Sequence, residues 1–213
     1  HFINAYAEEF NLGWELEPLK EYEGGKIIIS KSQTPFGIFK REYESCCLSG
    51  NRAYEMMFLT PPSLVRRDGP PDKYGKSTSF FRLTEEFAAN GFLLWDGTRK
   101  DLRSDYPTDV NQHRILQYDS CRGLEAWTVA CLGLDDFIQY KMETYDNEKD
   151  ENKTLFQEDE EERKERFVYL WSLIPLTRAI DTVVITLRDS SSAYGERLRG
   201  LAERMSDFVE WVE

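Results

Sequence analysis

The stretch "SLIPLTRAIDTVVITL", residues 172–187, decides the fold class. Its last part, residues 182–187, is an apolar run rich in β-branched side chains, which is typical of a strand buried on both faces. Arg178 lies just before this run and carries a charge that cannot be neutralised at physiological pH. Two interpretations are open for Arg178. Either it caps a helix or forms an ion pair at the surface, or its planar guanidinium reaches a phosphate.

Similar apolar runs recur along the chain and alternate with helical patterns. The predicted strands are residues 26–30, 54–60, 92–95, 114–118, 127–134 and 182–187. Helical spacing of apolar residues predicts helices at 2–10, at 80–90 before Gly91, and at 193–213. This alternation predicts an α/β domain with a mainly parallel sheet flanked by helices.

The domain organisation follows from where this pattern is interrupted. Residues 141–166 are dominated by charge, and the strand pattern resumes after them. We therefore expect one domain over residues 1–213 with a charged insertion, a loop in its first half and a solvated helix in its second. The chain begins at His1 inside a helical pattern, so we expect a fragment of a longer protein.

Composition restricts the class of protein. The chain has 39 acidic and 27 basic residues and a net charge of −12, which argues against wholesale coating of nucleic acid. A local basic track stays open, because phosphate contacts need only a few placed donors. No apolar run approaches the ~18 residues of a membrane span, and the four cysteines lack a C-x-x-C pair. We expect a cytoplasmic protein with reduced thiols and no membrane partner.

A second informative stretch is "DSCRGLEA", residues 119–126. It follows a predicted strand, and in open α/β sheets the loops at the carboxyl ends of strands form the ligand site. Ser120 and Arg122 suit a phosphate, Gly123 lets the backbone approach a ligand, and Glu125 can accept a hydrogen bond from a ribose hydroxyl. The alternative is an ordinary turn that contains a glycine.

Together the two stretches resemble motifs V and VI of the UvrD/Rep-like superfamily I helicases. Those motifs read T-x-H-S-x-K-G-L-E and Y-V-A-x-T-R-A, the second followed by a strand. Here "SCRGLE", a strand and "PLTRAIDTVVITL" occur in the same order, separation and strand context. The resemblance implies a C-terminal RecA-like domain, a three-layer α/β fold.

The resemblance also implies a nucleotide site. In that family ATP with Mg²⁺ lies between two RecA-like domains, and the N-terminal one holds most of it. Arg178 corresponds to the catalytic arginine finger that reaches the γ-phosphate. Gly123 and Glu125 correspond to the other nucleotide-binding positions, with Glu125 on the ribose. No G-x-x-x-x-G-K-[ST] loop occurs in the chain, so we expect it to be inactive as an ATP hydrolase without that partner domain.

A contact with nucleic acid is implied in the same way. Asp119, Ser120 and Arg122 correspond to positions near the phosphates of single-stranded DNA, with RNA left open, although an acidic side chain at position 119 is unfavourable beside a phosphate. Thr60, at the end of its predicted strand, is a further candidate contact. The resemblance therefore implies the C-terminal motor domain of an ATP-dependent superfamily I DNA helicase or translocase.

Several positions depart from the family pattern. Gln117 and Asp119 stand where the family has Thr and His, and Arg122 replaces its Lys. Leu173 and Pro175 replace the Tyr and Ala of motif VI. These departures leave open an alternative, a non-catalytic helicase-derived module that binds a protein partner or nucleic acid. A small-molecule enzyme is disfavoured, because no acid–base or nucleophile constellation is apparent.

The remaining polar candidates have ordinary explanations. Asp135 and Asp136 follow a strand, but no third ligand lies nearby, so no metal site is predicted. His113 is expected to be a loop histidine. Cys121 lies within the motif V stretch and would be reactive only if exposed.

Overall fold

The computed structural model describes residues 1–17, 25–69, 71, 74–102, 107, 109–146 and 159–213. The strands are β1 Lys26–Ser30, β2 Met56–Thr60, β3 Val65–Arg66, β4 Phe80–Phe81, β5 Leu94–Asp96, β6 His113–Gln117, β7 Ala126–Cys131, β8 Ala179–Thr186 and β9 Val209–Val212. The helices are α1 Phe2–Glu9, α2 Phe36–Leu48, α3 Thr84–Ala89, α4 Leu134–Glu143, α5 Glu160–Leu176 and α6 Ala193–Arg204.

Seven strands form one sheet in the order β5-β6-β2-β7-β8-β1-β9. Every neighbouring pair in it is parallel. β3 and β4 form a separate antiparallel ribbon. Because parallel strands need a return crossing, helices cover both faces of the sheet.

The core confirms this three-layer arrangement. Alternate residues of the interior strand β2 point to opposite faces: Met57 and Leu59 pack in one apolar cluster, Met56 and Phe58 in another. The first cluster includes α1, α4, α5 and α6, and the second includes α2, α3 and the ribbon. The predicted α/β class with a parallel sheet is confirmed, and the architecture is consistent with a RecA-like fold.

Three local predictions are corrected by the structure. Residues 80–81 belong to the β3–β4 ribbon, and the helix after them is only α3. The helices α2 and α4 lie in segments for which no helix was predicted. The predicted helix over 193–213 ends at Arg204, and its last residues form β9.

Pairing with β1 explains the change from helix to strand at the C-terminus. β9 lies beside β1 in parallel register, with Ile27 opposite Val209, and the Ile27 amide donates to the Phe208 carbonyl at 3.0 Å. Without β9, β1 would expose its backbone groups at the edge of the sheet. Satisfying them outweighs the helical spacing that continues through Phe208 and Val212.

The charged insertion is described only at its two ends. Residues 141–143 belong to α4, and α5 begins at Glu160 on an Asp159 cap that accepts from the Glu162 amide at 2.9 Å. The predicted helix in the second half is confirmed. The loop predicted in the first half falls largely on 147–158, outside the described residues. Within the described segments, no helix is long and apolar enough to cross a membrane.

His113 is not a loop residue, because it opens β6 and is only 2% exposed. Its ring lies among Tyr43, Phe58 and Phe92, with centroids 4.7, 5.8 and 5.0 Å away. Burial lowers the pKa of His113 from 6.5 to about 4. The folded protein therefore keeps this imidazole neutral at pH values where an unfolded chain protonates it.

This shift predicts a stability that falls with acidification. Between pH 6.5 and 4 the unfolded chain binds a proton that folded His113 does not, so the free energy of unfolding decreases as pH falls. The expected share of His113 between pH 7.5 and 5 is about 2 kcal/mol. Urea unfolding of the wild type and of His113→Gln at both pH values measures it. Equal pH dependence in the two proteins would contradict the prediction.

Candidate nucleotide and nucleic-acid site

The segment 118–125 carries most of the predicted site residues across one face of the sheet. It leaves β6 at the carboxyl edge and enters β7 at the amino edge without an intervening α-helix. Tyr118 and Cys121 are buried in the cluster that α4 and α5 cover. The expectation that the whole motif lies at the carboxyl edge is therefore wrong beyond its first residues. Because β6 and β7 run parallel, the chain must return before β7 begins.

Glu125 and Arg178 are brought together at the amino edge. They immediately precede the neighbouring strands β7 and β8, whose first residues Ala126 and Ala179 are aligned. The Ala126 amide donates to the Arg178 carbonyl at 3.1 Å. The Glu125 side chain is exposed. Two motifs distant in sequence thus share one edge, with a carboxylate and a guanidinium on adjacent backbones.

The Arg178 side chain folds back onto the end of α5. It is half-buried, its Nε donates to the Ile174 carbonyl at 3.0 Å and its Nη2 to the Thr177 hydroxyl at 3.0 Å. The last carbonyls of a helix lack intrahelical donors, which favours such capping. Thr177 assists, donating its hydroxyl to the Leu173 carbonyl at 2.9 Å. Pro175 lies in the last turn of α5, is buried and has no amide hydrogen to donate.

Gly123 is explained by its backbone conformation. Its φ of +75° lies in the left-handed region that favours glycine. A Cβ built at this position would meet no atom within 4 Å. The turn itself therefore accounts for the glycine, and a close approach to neighbouring atoms does not.

Arg122 lies on the indole ring of Trp171, a residue that was not predicted to belong to the site. Its guanidinium carbon is 4.2 Å from the centroid of the Trp171 ring, and Lys141 Nζ is 3.8 Å from the same centroid. Lys141 also pairs with the Asp119 carboxylate at 2.9 Å. We refer to Asp119, Arg122, Lys141 and Trp171 as the indole cluster. The acidic Asp119, unexpected beside a phosphate, thus has a partner within the protein.

Ser120 and Thr60 have different surroundings. Ser120 is half-buried and lines a cavity of about 340 Å³ together with Tyr54, Trp95, Pro107, Arg114, Leu116 and Leu124. Thr60 is fully buried at the end of β2, and its hydroxyl donates to the Pro61 carbonyl at 3.4 Å. In this conformation Thr60 is out of reach of a nucleic acid, because an interior strand of a covered parallel sheet is enclosed on both faces.

Arg114 is a buried support for the backbone of Glu125. It is 4% exposed; its Nε donates to the Tyr54 carbonyl and its Nη2 to the Glu125 carbonyl, both at 2.9 Å. Its guanidinium carbon lies 4.1 Å from the Tyr54 ring centroid. From the sequence, Arg114 was predicted to lie in a strand, but no role in the site was predicted for it. A charged residue within an apolar strand was the available signal, since such residues are rarely buried without partners.

A basic cleft of about 400 Å³ lies beside the carboxyl ends of β5 and β6. It is lined by the basic residues Arg67, Lys76 and Lys100 and by polar residues that include Ser77, Thr98 and Gln117. Its one carboxylate among the described lining residues, Asp101, pairs with Arg99 at 2.6 Å. The cleft is a local concentration of positive charge in a chain of net charge −12.

The Cys121 thiol is not exposed for reaction, and no metal cluster is found among the described side chains. Cys121 is buried, and burial raises the pKa of its thiol to about 11, which keeps it protonated at neutral pH. Asp135 accepts from the amides of Arg188 and Asp189 at 2.9 and 2.7 Å, and Asp136 pairs with Arg188. No set of three or more His, Cys, Asp or Glu side chains in the described part of the chain could hold a metal ion.

Neither the protein-family models nor the curated proteins contain a match to this chain. The amino edge offers an exposed acceptor and a planar cation on adjacent backbones. The indole cluster and the basic cleft offer cations for phosphates.

Proposed function

We propose that this chain is the C-terminal RecA-like motor domain of an ATP-dependent superfamily I DNA helicase or translocase that acts in the cytoplasm. The observation that carries the proposal is the hydrogen bond from the Ala126 amide to the Arg178 carbonyl. It aligns the residues of two separate motifs at one edge of the sheet. An arginine finger and a ribose acceptor must face the same nucleotide, so this convergence is what the function requires.

The nucleotide side of the proposal concerns Glu125 and Arg178. ATP with Mg²⁺ supplies the γ-phosphoryl group, and the N-terminal RecA-like domain of the full-length protein would hold most of it. Glu125 would accept from the ribose hydroxyls. Arg178 would exchange its neutral acceptors, the Ile174 carbonyl and the Thr177 hydroxyl, for a phosphate anion. Charge-assisted hydrogen bonds are stronger than those to neutral groups, which favours the exchange.

The nucleic-acid side of the proposal concerns the indole cluster and the basic cleft at the carboxyl edge of the sheet. Arg122 in the indole cluster and Ser120 beside it would contact single-stranded DNA, with RNA left open. The basic cleft extends the positive surface with Arg67 and Lys100. Phosphate contacts of this kind give binding that weakens as salt increases.

One observation favours a second candidate, the non-catalytic helicase-derived module. Arg178 already caps α5, so its charge has a structural use without any nucleotide. In that case the chain would bind a protein partner or nucleic acid and would take no part in ATP turnover.

Glu125→Ala tests the nucleotide side. Loss of a hydrogen bond to a charged acceptor amounts to roughly 1.5–3 kcal/mol, so the KM for ATP should rise about tenfold or more. The kcat should change less, because a ribose contact is present before and during the reaction. The measurement is ATP hydrolysis by the full-length protein with and without single-stranded DNA.

Glu143→Ala is the matched control, since Glu143 is an exposed glutamate near the end of α4. It should leave both constants unchanged. Absence of DNA-stimulated hydrolysis in the wild type would favour the non-catalytic module. Identical kinetics for Glu125→Ala and Glu143→Ala would remove Glu125 from the site.

A further inference from the structure

The indole cluster places two cations on one aromatic side chain. Arg122 and Lys141 lie 4.2 and 3.8 Å from the Trp171 ring centroid, within the range of cation–π attraction. Trp171 is half-buried on α5, and Lys141 comes from α4. Three separate parts of the chain therefore contribute to the cluster, and both cations lie against the same ring.

The two cations differ in their access to water. The Lys141 side chain is only 12% exposed, and its ammonium also lies 5.4 Å from the Phe137 ring centroid. A charge with so little solvent needs a counter-ion. Asp119 supplies one at 2.9 Å, and its own side chain is 43% exposed. Arg122 is exposed.

The four residues of the cluster include two cations and one carboxylate, and that carboxylate pairs with Lys141. Asp119 is the more exposed partner, so water can hydrate its carboxylate when it separates from Lys141. Lys141 is held by the indole and cannot follow. An incoming anion could therefore replace the Asp119 carboxylate as the partner of the Lys141 ammonium.

We propose that Asp119 is an internal substitute for a phosphate, which occupies Lys141 until a nucleic-acid phosphodiester displaces it. Lys141 and Trp171 then belong to the nucleic-acid site together with Arg122. This inference rests on the proposed function, since it assumes that single strands bind on this face. It accounts for an acidic residue at a position where a phosphate contact is expected.

Asp119→Asn is the direct test. Without the competing carboxylate, affinity for a fluorescein-labelled oligothymidylate should rise about tenfold, because a like charge facing a phosphate is removed. The freed Lys141 adds about one phosphate contact, so the slope of log K against log salt should steepen by about 0.7. Fluorescence anisotropy of the full-length protein over a sodium chloride series measures both.

The controls separate a local effect from a change in net charge. Asp207→Asn removes the same charge from an exposed position just after α6 and should leave the slope unchanged. Lys141→Gln added to Asp119→Asn should cancel the gain. Asp119→Ser repeats the test with a second neutral side chain, and thermal unfolding confirms that each variant folds.

The outcomes are distinct. Tighter binding with a steeper salt slope in both Asp119 variants, and not in Asp207→Asn, supports the inference. If the Asp119 variants match Asp207→Asn while Arg122→Ala weakens binding, the substitute role is overturned and the proposed nucleic-acid track stands. If wild type and variants all fail to bind the oligonucleotide, both are overturned.

Discussion

Arg178→Ala is expected to lower ATP turnover by the full-length protein about 10³-fold or more, while ATP affinity changes only severalfold. An arginine finger stabilises charge that develops on the transferring phosphoryl group, so its loss affects the transition state far more than the bound substrate. Phosphate release at saturating ATP and single-stranded DNA gives the turnover. Titration with a fluorescent ATP analogue gives the affinity.

The control must separate this role from the capping role seen in the structure. Arg204→Ala removes an exposed arginine that pairs with Glu9 near the end of α6, and it should leave turnover intact. Arg178→Lys should restore little activity, because an ammonium lacks the planar fork. Turnover of Arg178→Ala within twofold of wild type, together with a lower melting temperature, would assign Arg178 to capping alone.

Arg114→Met is expected to lower the free energy of unfolding by about 3 kcal/mol. The substitution keeps most of the apolar stem but leaves the carbonyls of Tyr54 and Glu125 without their present donors. Urea unfolding measures the loss. Arg66→Met is the matched control, since Arg66 is about half exposed and pairs only at the surface with Asp68. Its expected change is under about 1 kcal/mol.

The same variant carries a functional expectation. Arg114 fixes the Glu125 carbonyl, so its loss should raise the KM for ATP in the same direction as Glu125→Ala. The KM is measured at a temperature where the variant is fully folded. A destabilised variant with an unchanged KM would show that Glu125 keeps its place without Arg114.

The sequence predicted those parts of the fold that local patterns determine. β1, β2 and β8 contain runs that are apolar on both faces, which is the signature of strands enclosed between helices. β9 could not be found in this way, because it becomes a strand only through pairing with β1 at the far end of the chain. α2 was not predicted because its buried face includes Glu42, which interrupts the apolar spacing of Ile38, Phe39 and Cys46.

The site residues likewise fall into those that local sequence motifs predicted and those that only tertiary contacts reveal. The two motifs predicted that Glu125 and Arg178 belong together, and the register of β7 and β8 places them side by side. The sequence did not indicate Lys141 or Trp171, since their contacts are made with distant parts of the chain. Asp119 looked out of place because its partner Lys141 lies on another element.

The segment 118–125 also connects the proposed nucleic-acid contact at Arg122 to the proposed nucleotide contact at Glu125. A strand of nucleic acid on Arg122 and a nucleotide on Glu125 would be separated by only the backbone of Gly123 and Leu124. No helix or strand intervenes between Arg122 and Glu125, so a shift of one is passed on through a few covalent bonds. The sheet would then serve as the fixed frame against which this short connector moves.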